Sequence, residues 1–73
     1  MYNMEVSYKV RWSEYIHEWC VYYYIDGFPD YEVRGTHGLG IKSFSTKEQA
    51  VRSGKHYVKS MCERGFTARE DSY

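Results

Sequence analysis

The chain opens with a segment, residues 5–12, in which apolar and polar side chains alternate strictly. A period of two places successive side chains on opposite faces of a β-strand. β-Branched and aromatic residues, which favour strands, occupy the apolar positions. One face of the predicted strand is therefore expected to be buried, and it carries Val6, Tyr8, Val10 and Trp12.

A second strand is predicted over residues 17–26, where the alternation resumes. The face that holds the aliphatic residues is the better core face, so Tyr22 and Tyr24 are expected on the opposite face. A register shift of one residue would exchange the two faces. The predicted core face of this strand carries Trp19, Val21, Tyr23 and Ile25.

Turn-forming residues divide the middle of the chain into short elements. A turn is predicted at residues 26–30, because Asp26-Gly27 favours positive φ and Pro29 cannot donate to a central ladder. Short strands are expected over residues 31–34 and 41–44, with a glycine-rich loop between them. This loop lacks the spacing of a phosphate-binding P-loop.

One amphipathic helix is predicted over residues 46–63. A capping box starts it, because the Ser45 hydroxyl can accept from the Glu48 amide while the Glu48 carboxylate returns to the Ser45 amide. Gly54 costs about 1 kcal/mol relative to alanine inside a helix, so we expect it to allow close approach to a bulky ring. Gly65 fits the position after the last turn. The stripe expected to face the sheet is Ala50, Gly54, Tyr57, Val58 and Met61.

These elements predict an α+β fold, an antiparallel sheet of three to four strands followed by one amphipathic helix packed on one face. A further short strand is expected over residues 66–69, and residues 70–73 are expected to be a disordered tail. Seventy-three residues form a single domain, 1–73, with a thin core. Nine tyrosines, two tryptophans and three phenylalanines supply the large rings that such a core needs.

Charge is distributed unevenly along the chain although the formal net charge is zero. Residues 1–33 hold six acids and two bases, and residues 34–73 hold eight bases and four acids. Zero net charge argues against tight, non-specific nucleic-acid binding, which needs a strong positive field. No segment is long and apolar enough to cross a bilayer, and no secretory signal is evident, so a cytoplasmic protein without membrane contact is expected.

Residues capable of catalysis or metal binding are present, but their spacing matches no known motif. His17 and Cys20 form the only close pair of metal ligands, and on a strand they would point to opposite faces. In a reducing cytoplasm both Cys20 and Cys62 are expected to be thiols. The sequence therefore predicts a non-enzymatic protein that uses no metal and no cofactor.

Two groups of side chains are candidates for a binding surface. Exposed tyrosines on a sheet either stack on bases or anchor protein interfaces, unless they pack under a loop or the tail. Acidic residues flank the tyrosines in sequence, which favours the protein interface. A basic helix stripe would contact phosphates or an acidic surface, or remain an ordinary solvated face. The predicted protein-binding residues are Glu18, Tyr22, Tyr24, Glu32, Arg52, Lys55 and Lys59, with His56 on the same stripe.

Residues 42–51, continuing to Gly54, resemble the strand-to-helix junction of small βββα domains. Similar junctions occur in the arm-type DNA-binding domains of phage integrases and in a family of bacterial βββα proteins. A Phe-x-Thr-x-x-x-Ala run enters the helix in these domains, as Phe44, Thr46 and Ala50 do here. The resemblance reflects capping and packing, so it implies the fold.

The whole chain also resembles, in length, neutral charge and aromatic content, a family of small bacteriophage host-takeover proteins. These proteins bind bacterial RNA polymerase, displace sigma and promote antitermination. The resemblance implies a partner surface on the β′ N-terminal region and the β flap, in the host cytoplasm. It assigns no functional residue. The alternatives are a nucleic-acid-binding module and a phage inhibitor of a host defence protein.

Overall fold

A computed structural model of the chain describes residues 4–69, and within them seven strands and one helix follow one another. The predicted tail at residues 70–73 lies outside the described part of the chain. In chain order the elements are β1 (Glu5–Ser13), β2 (Glu18–Ile25), β3 (Phe28–Pro29), β4 (Arg34–Gly35), β5 (Gly38–Leu39), β6 (Ile41–Phe44), α1 (Lys47–Glu63) and β7 (Thr67–Ala68).

β1 and β2 pair antiparallel along their length and form the centre of a five-stranded sheet. The far edge of β2 is shared, because β6 pairs with its first half and β3 with its last two residues. β7 pairs parallel with β1 at Glu5 and Val6, on the edge away from β2. The predicted α+β class is confirmed, with one helix packed on a mostly antiparallel sheet. The sheet has five strands rather than three or four, and β7 is parallel to its neighbour.

The register between β1 and β2 places the predicted apolar faces of both strands on one side of the sheet, which α1 covers. Val6 and Val21 are fully buried on this side, and Tyr23 is 2% exposed. The predicted core face is therefore correct for both strands, and the alternative register does not occur. The pairs on this face are Val6 with Ile25, Tyr8 with Tyr23, Val10 with Val21, and Trp12 with Trp19.

The helix is capped one residue later than the sequence predicted. Thr46 is the N-cap, and its Oγ1 accepts from the Gln49 amide at 3.2 Å. Ser45 supports the cap differently, because its hydroxyl donates to Gln49 Oε1 at 3.1 Å. Glu48 instead lies within 3.4 Å of Arg52 on the helix surface. The predicted Ser45–Glu48 capping box is wrong because Thr46 is the last residue with extended backbone angles.

Two glycines have the roles that the sequence predicted. Gly54 is buried against the Tyr8 ring, and a Cβ added at Gly54 would overlap that ring. Gly65 adopts a φ of 104° directly after the helix. The Gly65 amide donates to Cys62 O and the Phe66 amide to Met61 O, both at 3.1 Å, which is a Schellman motif.

The predicted strand at residues 31–34 is displaced towards the glycine-rich loop. Asp30 is 8% exposed and organises a turn there, because its Oδ1 accepts from the Glu32 amide and its carbonyl from the Val33 amide. Side-chain turn chemistry of this kind competes with strand formation. β4 therefore begins only at Arg34, and it pairs with β5 inside the predicted loop.

Two tyrosine hydroxyls connect the helix to the sheet and to this turn. Tyr23 shares a hydrogen bond with Ser53, and the Tyr23 and Tyr57 rings pack edge to face with centroids 4.8 Å apart. The Tyr57 hydroxyl donates to Asp30 Oδ2 at 2.9 Å. Burial raises the pKa of both phenols; the bond to Asp30 raises that of Tyr57 further, whereas the bond to Ser53 lowers that of Tyr23. The polar atoms enclosed by this packing therefore have partners.

Candidate functional site

The β1–β2 hairpin ends in an aromatic surface that the helix covers only in part. We call this surface the hairpin tip; it comprises Trp12, Trp19 and the connecting turn at residues 14–17. α1 begins level with Trp19, since the Nζ of Lys47 lies 5.5 Å from the centroid of that ring. Beyond this level, Trp12 on the helix side of the hairpin is only partly buried among the described residues.

The turn of the hairpin tip is held by its own backbone. The His17 amide donates to Ser13 O at 2.9 Å, and His17 has a φ of 54°. Histidine is one of the few non-glycine residues that adopt this left-handed region at modest cost. The closed turn presents Tyr15 outwards, and that side chain is 98% exposed.

The tryptophans of the hairpin tip are fixed by one another. The rings of Trp12 and Trp19 pack edge to face with centroids 5.5 Å apart, and His17 packs on Trp12 at 6.2 Å. Trp12 nevertheless remains 43% exposed. The tip therefore offers a large aromatic surface whose two tryptophan rings are already ordered.

Charge at the hairpin tip is mixed and includes two acids. Glu14 is exposed in the turn, and Glu18 is half-buried at the start of β2. Lys47 supplies a cation above the Trp19 ring. Carboxylates in these positions repel phosphates, whereas a protein surface can pair with both signs of charge.

The residues predicted to bind a partner do not form one surface. Glu18 lies at the base of the hairpin tip. Tyr22 and Tyr24 are half-buried on the sheet face opposite the helix, and Glu32 is exposed in the turn before β4. The basic stripe is exposed on the helix side away from the sheet and consists of Arg52, Lys55, His56 and Lys59.

The sheet face opposite the helix, which we call the outer face, is less acidic than the sequence suggested. Tyr22 pairs across the strands with Lys9, and Tyr24 pairs with Ser7. Asp30, one of the acids that lie close to the tyrosines in sequence, is buried beneath Tyr57. The Asp26 carboxylate accepts from the Glu5 amide at 3.0 Å. Cross-strand register, rather than proximity in sequence, sets the neighbours of these tyrosines.

Trp12 and Tyr15 were not among the predicted site residues. Alternation assigned Trp12 to the core, and Tyr15 lies in the connection between two strands. The lengths of the two elements indicate that one end of the strand is uncovered, because the nine-residue β1 spans about 30 Å and the 17-residue α1 about 25 Å. A helix shorter than the strand it packs on cannot cover both ends of that strand.

The two cysteines are free thiols, and one of them is buried. Cys20 is 3% exposed on the outer face, and Cys62 is exposed on the helix. Burial raises the pKa of the Cys20 thiol, and the nearby Glu18 raises it further. Cys20 is therefore held in its protonated, weakly nucleophilic form.

The described part of the chain holds no metal-binding cluster and no membrane-crossing helix. No three His, Cys, Asp or Glu side chains of residues 4–69 are grouped so that they could hold a metal ion. None of the helical sequence in that range is long and apolar enough to cross a membrane. Comparison with known protein families, with curated proteins and with solved structures finds no match.

Proposed function

We propose that the protein is a non-enzymatic regulator that binds a protein partner through the hairpin tip. The observation that carries this proposal is Tyr15, 98% exposed beside the packed pair of Trp12 and Trp19. Tyrosine and tryptophan are the residues most enriched at the centres of protein interfaces. A folded protein has no structural need for a fully exposed ring at that position.

Preorganisation supports the same proposal. Trp12 is held by Trp19 on one side and by His17 on another, so little side-chain freedom is lost when a partner covers it. The backbone of the turn is likewise closed before binding. The hairpin tip thus fits an apolar pocket on the partner, with Glu14 and Glu18 facing a basic rim.

Bacterial RNA polymerase is the first candidate partner that we propose, because the chain resembles phage host-takeover proteins that bind this enzyme. On this proposal the hairpin tip inserts at the β′ N-terminal region or the β flap, displaces sigma by steric exclusion and promotes antitermination. A host defence protein is the second candidate partner. If the hairpin tip inserts into a pocket of that protein, it blocks the pocket by steric exclusion.

Binding of purified core RNA polymerase to the immobilised full chain tests this partner. We expect measurable binding, competition by sigma, and a loss of at least tenfold in affinity for Tyr15→Ser, as for a hot-spot residue. Tyr31→Ser is the matched control, since Tyr31 is 63% exposed outside the hairpin tip. Absence of binding to the core enzyme would remove RNA polymerase as the partner.

A further inference from the structure

The outer face combines cations with aromatic rings at its centre. Lys9 lies directly opposite Tyr22, and Arg11 lies opposite Cys20 on the same face. Both cations are exposed, and among residues 4–69 neither forms an ion pair. Tyr24 continues the aromatic row two residues beyond Tyr22, about 7 Å along the strand. On this face the two cations thus lie on β1 and the two rings on the neighbouring β2, and Lys9 and Tyr22 are direct cross-strand neighbours.

We propose that the outer face binds single-stranded nucleic acid, with Tyr22 and Tyr24 stacking on bases and Lys9 and Arg11 contacting phosphates. Proteins that bind single strands combine these two elements, a row of aromatic rings and a positive track for the backbone. The proposal goes beyond the protein-binding function and uses a different surface. Either surface can bind its partner without the other.

The other groups on this face define the extent of the site. Ser7 lies opposite Tyr24 and Ser43 opposite Cys20, and their hydroxyls can donate to phosphate oxygens. Glu5 and Glu18 lie at opposite ends of the face and repel phosphates there. The site is therefore short, on the order of four nucleotides, at the lower limit for a single binding domain.

An acidic peptide is the competing occupant of this face. It would pair with Lys9 and Arg11, but an acidic peptide carries few apolar or aromatic side chains that would pack on the two tyrosine rings. Base stacking with phosphate contact uses the rings and the cations together, and Tyr22 lies beside Lys9 across the strands. The observations therefore favour the nucleic acid.

Fluorescence anisotropy of a labelled 12-nucleotide oligothymidine tests the proposal with the full chain at low salt. We expect binding that weakens with salt and a duplex of the same length to bind less tightly. Lys9→Ala with Arg11→Ala should weaken binding about tenfold and lower the salt slope by about 1.4, for two phosphate contacts on a single strand. Tyr22→Leu with Tyr24→Leu should also weaken binding about tenfold, through lost stacking.

Lys55→Ala with Lys59→Ala is the matched control, because it removes equal charge from the helix stripe. We expect its affinity to change less than twofold. Circular dichroism of every variant establishes that the fold is retained. Tyr15→Ser should bind the oligonucleotide like the wild type, which separates this site from the hairpin tip.

Three results would overturn the proposal. The first is an absence of oligonucleotide binding by the wild-type chain at low salt. The second is an equal loss of affinity in the Lys55→Ala, Lys59→Ala control. The third is competition by polyglutamate as effective as that by unlabelled oligothymidine, which would assign the face to acidic peptides. None of these results bears on binding through the hairpin tip.

Discussion

Gly54 marks the closest approach of the helix to the sheet, where the Tyr8 ring occupies the space of a side chain. Gly54→Ala should lower the free energy of unfolding by up to about 2 kcal/mol, because an overpacking cost of about 1–3 kcal/mol exceeds the roughly 1 kcal/mol gained in helix propensity. Urea denaturation measures the change. Lys55→Ala, at an exposed neighbouring position, should alter stability by less than about 0.5 kcal/mol. A more stable Gly54→Ala protein would contradict close packing of the helix against the Tyr8 ring.

Tyr57 couples stability to alkaline pH. Its pKa is raised in the folded protein by burial and by Asp30, so the fold favours the protonated phenol. This stabilisation is complete below pH about 10, the ordinary pKa of tyrosine, and is lost as the pH rises above that value. The free energy of unfolding of the wild type should therefore fall above pH 10.

Tyr57→Phe removes both the hydrogen bond from this hydroxyl to Asp30 and its ionisation at alkaline pH, and the two effects appear at different pH values. At pH 7 it should destabilise the protein by about 1–3 kcal/mol, because Asp30 Oδ2 loses its donor while buried. Above pH 10 the variant should lose less stability than the wild type. Urea midpoints at pH 7 and pH 11 measure both effects. Tyr15→Phe is the control, and an unchanged alkaline slope in Tyr57→Phe would refute the assignment.

At the scale of elements, two neighbouring hydroxyls, those of Ser45 and Thr46, are candidates to cap the helix N-terminus. Thr46→Ala removes the acceptor of the Gln49 amide and should lower the free energy of unfolding by about 1 kcal/mol. Ser45→Ala removes only an exposed side-chain contact and should have less than half that effect. Thermal and urea unfolding of the two variants show which of the two residues caps the helix. A larger effect at Ser45 would restore the capping box expected from the sequence.

Elements with a strong internal period could be predicted from the sequence, and elements defined by distant partners could not. The alternation around Val10 and Val21 and the apolar spacing from Ala50 to Met61 are local signals, and each gave the correct face. β7 depends on β1, more than fifty residues earlier, so no local pattern indicates its parallel pairing. The displaced β4 depends on Asp30, whose burial beneath Tyr57 becomes evident only in three dimensions.

For the candidate surfaces too, features set by a local pattern could be predicted and features set by distant partners could not. Alternation correctly placed Tyr22 and Tyr24 on the face away from the helix. It could not identify Lys9 as the neighbour of Tyr22, because that contact depends on the register between two strands. Proximity in sequence suggested an acidic setting instead. Exposure of Trp12 follows from the relative position of the hairpin and the helix, which sequence periodicity does not encode.

At the scale of the whole molecule, the fold separates its surfaces. Within residues 4–69 the helix covers one side of the sheet, while Tyr15 of the hairpin tip, Lys9 and Arg11 of the outer face and the basic helix stripe are exposed. Because Tyr15 contributes almost nothing to the core, Tyr15→Ser should change the free energy of unfolding by less than about 0.5 kcal/mol. Urea denaturation checks this expectation. A large destabilisation would mean that the ring supports the fold rather than a partner.

The central claim is that the hairpin tip binds a protein. Its most direct measurement is quantitative mass spectrometry of proteins captured from a bacterial lysate by three immobilised chains, wild type, Tyr15→Ser and Tyr31→Ser. We predict that one set of proteins is enriched equally by the wild type and Tyr31→Ser and at least tenfold less by Tyr15→Ser, as for a hot-spot residue. Equal recovery by all three chains, or no enrichment by the wild type over a blank support, would contradict the claim.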